Sequence, residues 1–267
     1  MIAKKEMPNS YLAWNKKWGA PFGYPPRRLE TFMEKIIPAA WAITNKGMFS
    51  LQPNNDTRVF EYPWAYFAAN LKQGMRVLEI GGGLSGFQFV LSKSGMHVTN
   101  IDPGMDRLGW PVNKKTFDRL NSLFKADVTL FNHGAEEVCL QDNSFDRAFC
   151  ISVIEHMPPQ IAKAALINTY NALRPGGIFL LTIDLFLDVF PFTQKTENIY
   201  GINMSIKQLL DDSGFEITQG DKQELFGYPE FESTRILENL PQYFLGNIYP
   251  DLVQTLILRK PEAITSK

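Results

Sequence analysis

Apolar positions along the chain change rhythm near residue 62. Beyond that point, short continuous apolar runs alternate with stretches whose apolar residues recur every three to four positions. RVLEIG (76–81), HVTNID (97–102), VTLFNHG (128–134), FDRAFCIS (145–152) and GIFLLTID (177–184) have the length and β-branched content of buried strands. Between them, PWAYFAANLKQG reads as a helix stopped by Gly74, and FQFVLSKSG as one stopped by Gly95. TFDRLNSLFK is helical too. In PQIAKAALINTYNALRPGG, residues Ala162, Ala165, Leu166, Thr169, Tyr170 and Leu173 form one stripe, started near Pro159 and ended by Pro175-Gly176. Ser205 and Gln208 make a capping box for SIKQLLDDSG. FEITQGD, a helical FESTRILENL and the strand LVQTLILRK complete the chain. This alternation predicts an α/β fold, doubly wound around a mostly parallel sheet with helices on both faces.

Residues 1–60 read differently and predict a mainly helical, aromatic-rich cap, with the sheet domain at 61–262. Tyr11, Trp14, Trp18, Phe22, Tyr24 and Trp41 lie here around the turn-rich GAPFGYPPRR, and PRRLETFMEKIIPAAWAI is helical but interrupted at Pro38. Such a segment cannot bury its rings alone. Tyr11, Trp14 and Trp18 are placed to close over a ligand, where rings also attract a cation.

Charge narrows the partners. Over 267 residues the net charge is −1, although residues 1–60 hold nine Lys or Arg against four acids. A molecule this balanced is a poor polyanion binder, which argues against nucleic acid. No apolar run reaches the roughly 20 residues that span a bilayer, and the N-terminus has no apolar signal core, so a cytoplasmic, membrane-free protein is expected. Cys139 and Cys150 stand in strand-like or apolar surroundings and are expected to be buried thiols. Neither they nor the three histidines show metal-ligand spacing, so no metal is expected.

Chemistry concentrates after the first strand. Gly81, Gly83 and Gly86 form GxGxxG, with Gly82 between, where a strand hands over to a helix and backbone can approach a ligand closely. Glu79, two residues earlier, sits badly beside a dinucleotide pyrophosphate and suits a cationic ligand. Asp102, at the end of the second strand, is placed to accept from both ribose hydroxyls of an adenosine. His156, after the fourth strand, is the best general-base candidate, since an imidazole titrates near neutrality. Asp184 and Tyr200 bound the long apolar segment 184–201 at the carboxyl end of the fifth strand, where open α/β sheets bind ligands.

ExGxGxxG (79–86), Asp102, AEEVCLQDNSFD (135–146), ISVIEHM (151–157) and LRPGG (173–177), in this order, resemble the class I S-adenosylmethionine-dependent methyltransferases. The resemblance implies a seven-stranded sheet with an antiparallel last strand. It also implies S-adenosylmethionine as cofactor and S-adenosylhomocysteine as product. By the same resemblance, the glycines shape the methionine-side loop and Asp102 holds the ribose. Ala135 and Glu136 flank the adenine, and Ser152 borders the cofactor. Many relatives carry Gly-Asp before the Ala-Glu pair; His133-Gly134 stands here, so the usual acid at the adenine amino group is missing. ISVIEHM is also similar to the ubiquinone-pathway O-methyltransferases, in which an extra Glu replaces Ser152 and helps bind metal. The expected activity is methyl transfer to an oxygen, less readily a nitrogen, of a small-molecule metabolite. Two rivals remain at this point: a nicotinamide-dependent oxidoreductase on a similar glycine loop, and a non-catalytic S-adenosylmethionine-binding module.

Overall fold

The computed structural model describes residues 1–19, 47–51, 55–104 and 111–262. The helix read at 26–43, with Trp41, and the turn stretch that follows Gly19 lie outside the described residues, as do Phe22 and Tyr24. The elements, in chain order, are α1 (Asn9–Trp18), α2 (Arg58–Ala68), β1 (Arg76–Ile80), α3 (Phe87–Lys93), β2 (His97–Ile101), α4 (Lys114–Phe124), β3 (Val128–Phe131), β4 (Phe145–Ile151), α5 (Pro159–Ala172), β5 (Leu173–Phe186), α6 (Ile206–Leu210), β6 (Glu216–Gln219), α7 (Ser233–Glu238) and β7 (Asp251–Arg259).

They form a seven-stranded sheet ordered β3-β2-β1-β4-β5-β7-β6. The first five strands are parallel; β7 runs antiparallel to both β5 and β6. A parallel strand exposes alternate residues to opposite faces, and both faces are covered here. Val77, Phe149 and Leu180 pack to one side with Phe87, Trp14 and Trp64. Leu78, Cys150 and Leu181 pack to the other with Ala165, Leu166 and Leu209.

The described parts of residues 1–60 join this core. Ile2 bridges Gln254 on β7, and Trp14 is buried beside Phe49, Tyr66 and Phe87. Tyr11 lies edge-on to Phe60 and stacks on Phe67, while Trp18 is half-buried with the Lys17 ammonium over its ring. Cys139 corrects the expectation of two buried thiols: Cys150 is buried within β4, but Cys139 is exposed in the loop after β3, where no second sheet layer covers it.

Helix α2 starts five residues before the Pro63 that the sequence suggested as its opening. Proline inside a helix removes one N–H and orphans the carbonyl four residues earlier. That carbonyl belongs to Val59, and the buried Asn15 Nδ2 donates to it at 2.7 Å. Helix α1 thus makes a proline-containing α2 tolerable. Asn15→Ala is expected to cost about 1–3 kcal/mol, the scale of an unsatisfied buried acceptor, measurable by denaturant unfolding. An unchanged midpoint would show that water replaces the amide.

Candidate functional site

The glycine loop leaves β1 under tight local constraints. Gly81 sits at φ +66°, with the Val153 side chain where a Cβ would stand; Gly83 is at φ +50°. Both conformations are costly for other residues. The Gly82 amide donates to Asn100 Oδ1 (3.2 Å) and the Gly83 amide to Asp102 Oδ2 (2.8 Å). Asp102 Oδ1 accepts from the Gly104 amide at 2.8 Å, so this carboxylate ties the loops after β1 and β2 together. Gly86 opens α3 against the Phe49 ring.

Glu79 lies beneath this loop, buried, with Oε1 accepting from Ser85 at 3.3 Å and Oε2 without a hydrogen-bond partner. Burial pushes its carboxyl up to about 8, only partly opposed by the Ser85 hydroxyl. A cavity of about 70 Å³ opens beside it, lined by Arg58, Tyr62, Glu79, Gly81, Ser85 and Ser152. Ala135 is buried and Glu136 half-buried after β3. Asn168 of α5 fixes both backbone carbonyls, at 3.0 and 2.9 Å.

Sequence reasoning placed Ser152 beside the cofactor; the structure also makes it the centre of a buried polar network. Ser152 ends β4 at φ +47°, a left-handed conformation uncommon for a residue with a side chain. Its Oγ accepts from Arg58 Nη1 (2.8 Å) and lies 2.6 Å from Glu61 Oε1 and 2.8 Å from Asp184 Oδ1. One hydroxyl proton cannot serve two carboxylates. A hydroxyl donates once and accepts twice, so one of Glu61 and Asp184 holds a proton and donates it to Ser152. Thr182 donates to Glu61 Oε1 at 2.5 Å, and Arg58 pairs with Glu61 one helical turn away. Burial works against the Arg58 charge, and Glu61 and Asp184 more than offset it.

Three further groups join, of which only Glu155 lies in a marked motif. Tyr249 Oη donates to Asp184 Oδ2 (3.0 Å), Asp251 Oδ1 accepts from Asn55 (2.8 Å), and Glu155 Oε1 accepts from the Asp184 amide (3.1 Å). Burial raises Asp184, Glu155 and Asp251 above the usual carboxylate range. Arg58 opposes the rise at Asp184, whereas neighbouring acids add to it at Glu155 and Asp251, which reaches about 9.

His156 is exposed, in a 3-10 turn after β4, and its Nδ1 contacts the Tyr200 carbonyl. That contact links it to the 184–201 segment, whose Tyr200 ring stacks on Tyr249 at 4.0 Å. Asp184 therefore belongs to the buried network, and Tyr200 to its half-buried aromatic wall.

Residues 78–181 match the family model described as a methyltransferase domain. The β3-β2-β1-β4-β5-β7-β6 sheet around them has the seven-stranded fold of solved S-adenosylmethionine-dependent methyltransferases. An Aeromonas salmonicida ubiquinone biosynthesis O-methyltransferase is 32% identical over 114 residues, 42% of this chain and 44% of that protein. The crystal structure of the 4+2 cyclase SpnF superposes with a TM-score of 0.58 at 14% identity, covering 92% of this chain and all of that one. A Haemonchus contortus phosphoethanolamine N-methyltransferase 2 in complex with S-adenosyl-L-methionine gives 0.51 at 18% identity, covering 75% and 52%. The chain spans about a quarter to a third of the length of the sterol and phosphoethanolamine methyltransferases that it matches.

Proposed function

We propose that the protein binds S-adenosylmethionine along the carboxyl edge of β1 and β2 and transfers its methyl group to an oxygen or nitrogen of a small-molecule metabolite. The observation that carries this reading is Glu79: a buried acid with an orphaned oxygen beside a glycine cradle, facing a cavity too small for a nucleoside but suited to a charged amino-acid head. Glu79 would take the ammonium side of that head. Arg58, which lines the same cavity, would take the carboxylate. Asp102 would hold the ribose, and Ala135 and Glu136 would border the adenine. Bound there, the cofactor supplies an electrophilic methyl on a sulfonium.

The chain's own contribution is placement, because in-line approach of the acceptor can supply much of the rate. The Ser152 network, at the ends of β4 and β5, is built of side chains able to receive a proton that the acceptor releases. His156 is the alternative proton acceptor through its Nε2. A nicotinamide enzyme on a glycine loop typically has a sixth parallel strand at the sheet edge; the antiparallel β7 argues against it. The fold hosts other chemistry as well, as the cyclase match illustrates, so the activity rests on the site rather than on the sheet.

A thermal-shift titration tests the reading. S-adenosylhomocysteine at a hundred times its dissociation constant should stabilise the protein by about 2.7 kcal/mol, with no shift from either nicotinamide dinucleotide. A shift with a dinucleotide and none with S-adenosylhomocysteine would move the protein to the oxidoreductases.

A further inference from the structure

The apolar segment after β5 leaves part of itself uncovered: Phe190 is 56% exposed, and its ring meets Phe226 edge-on at 6.1 Å. Beside these rings opens a second cavity, of about 620 Å³. Its lining comes from the start of α5, the segment after β5, the start of α6 and the loop after β6. Strand β6 runs antiparallel to β7 and so points the same way as β5. The cavity therefore lies just past the carboxyl ends of strands, the edge where open α/β sheets take their ligands. No residue lines both this cavity and the small one beside Glu79. Ile202 lines the larger one, while its amide donates to the Glu155 carbonyl at 3.2 Å. The segment after β5 is thus shared between the cavity and the Ser152 network.

The volume falls within the roughly 300–1,000 Å³ that holds a small organic ligand. Phe190, Ile202, Met204 and Phe226 give it an apolar wall. Asn203 braces that wall, its Nδ2 donating to the Phe186 and Phe190 carbonyls at 2.9 Å each, so the space exists before a ligand arrives. Lys163 is the one charged residue in the lining, and no carboxylate is present there. Its ammonium pairs at 3.2 Å with Asp212, a side chain 87% exposed. Such a pair contributes little, so the ammonium can turn to an incoming anion at small cost. Gln160, three residues earlier on the same face of α5, adds a side-chain amide. One cation and an amide match a single carboxylate better than a phosphate, which calls for several charge-assisted donors.

We propose that this cavity binds a small amphiphilic carboxylic acid, its aryl or alkyl body against the Phe190–Phe226 wall and its carboxylate on Lys163. The site is separate from the proposed cofactor cradle, and its occupation does not rest on the methyltransferase reading. The bound acid covers the open face of Phe190. It also touches the segment that carries Tyr200 and, through the Tyr200 carbonyl, the contact to His156.

The test uses probes of one shape and different charge: 4-phenylbutyrate, 4-phenylbutanol and 4-phenylbutylamine, and the matching octanoate, octanol and octylamine. Each is titrated calorimetrically into the full chain, with and without S-adenosylhomocysteine. In at least one series the acid should bind about three-fold or more tighter than the alcohol, the scale of a partly exposed ion pair, and tighter still than the amine. Lys163→Met should erase the preference for the acid and leave the alcohol within about two-fold. Gln160→Glu, nearly isosteric and at an exposed position, sets a carboxylate beside Lys163 and should place the amine ahead of the acid. The two variants act independently, so misfolding of one leaves the other to decide. Alcohol binding as well as acid, no probe binding at millimolar concentration, or an acid preference that survives both variants would overturn the proposal. S-adenosylhomocysteine binding without acid binding sinks this inference alone. Acid binding without S-adenosylhomocysteine binding sinks the methyltransferase reading and leaves the cavity's role standing.

Discussion

Arg58→Met is expected to destabilise the protein by about 3–5 kcal/mol at pH 8, the cost of stranding buried carboxylates by removing the guanidinium that pairs with them. The loss should shrink toward pH 5, because burial raises Asp184, Glu155 and Asp251 above the usual carboxylate range and they then hold protons. The unmodified protein has the same sign of dependence. Glu79 and Asp251 are raised to about 8 and 9, from ordinary values of 4.5 and 3.8. Between these limits the folded state holds protons that the unfolded chain has lost, so ligand-free stability should fall as pH climbs from about 5 to 9. Arg58→Met combined with Glu61→Leu should recover much of the deficit, since an apolar pair replaces a buried ion pair at little cost. Denaturant unfolding at both pH values reads all of this. A pH-independent loss under about 1 kcal/mol would mean that water screens the network as it screens a surface pair.

Asp102→Ala should weaken S-adenosylhomocysteine binding by about 1.5–3 kcal/mol, roughly ten- to a hundred-fold. The carboxylate is the proposed ribose partner, and it also accepts from the Gly83 and Gly104 amides, so its loss loosens the loops on both sides of the cofactor. Asp102→Asn keeps the shape and one acceptor oxygen, and should lose less. Calorimetry at constant salt measures both variants. Unchanged affinity in the alanine variant would remove Asp102 from the cofactor and leave it a loop clasp.

The parallel part of the fold was legible because each strand is a short apolar run covered on both faces, and because Gly95 and Pro175-Gly176 follow helix ends; Gly74, read as the stop of the preceding helix, lies beyond α2, which ends at Ala68. Glycine spacing and Asp102 point to the proposed cofactor edge for the same local reason: the motif is contiguous, and the second-strand acid follows at fixed distance. Helix α2 was misjudged at its start. Pro63 reads locally as a first helical position, and only Asn15, 48 residues earlier, explains why the helix runs through it. The acceptor side was nearly invisible for a related reason. The Arg58–Glu61 pair, Glu155 and the Tyr249–Asp251 pair come from three separate segments, and nothing in the sequence spacing between those segments brings them together. One signal was available: a final antiparallel strand must begin where the parallel strands end, which places Tyr249 and Asp251 at the site once β7 is recognised. Cys139 shows the opposite error, since apolar neighbours in sequence do not guarantee cover in space.

The most direct measurement is the proton balance of S-adenosylmethionine binding. Near pH 7 the Glu79 carboxyl, raised to about 8 by burial, is mostly protonated in the free protein. A cationic head seated beside it favours the ionised form and expels that proton. Calorimetric titrations in phosphate and in Tris, whose ionisation heats differ widely, should therefore give 1:1 binding with release of nearly one proton, and affinity that rises with pH toward about 8. Saturable binding with no buffer-dependent heat would mean that Glu79 does not receive the cofactor's positive charge. No binding heat in either buffer at millimolar ligand would contradict the methyltransferase reading itself.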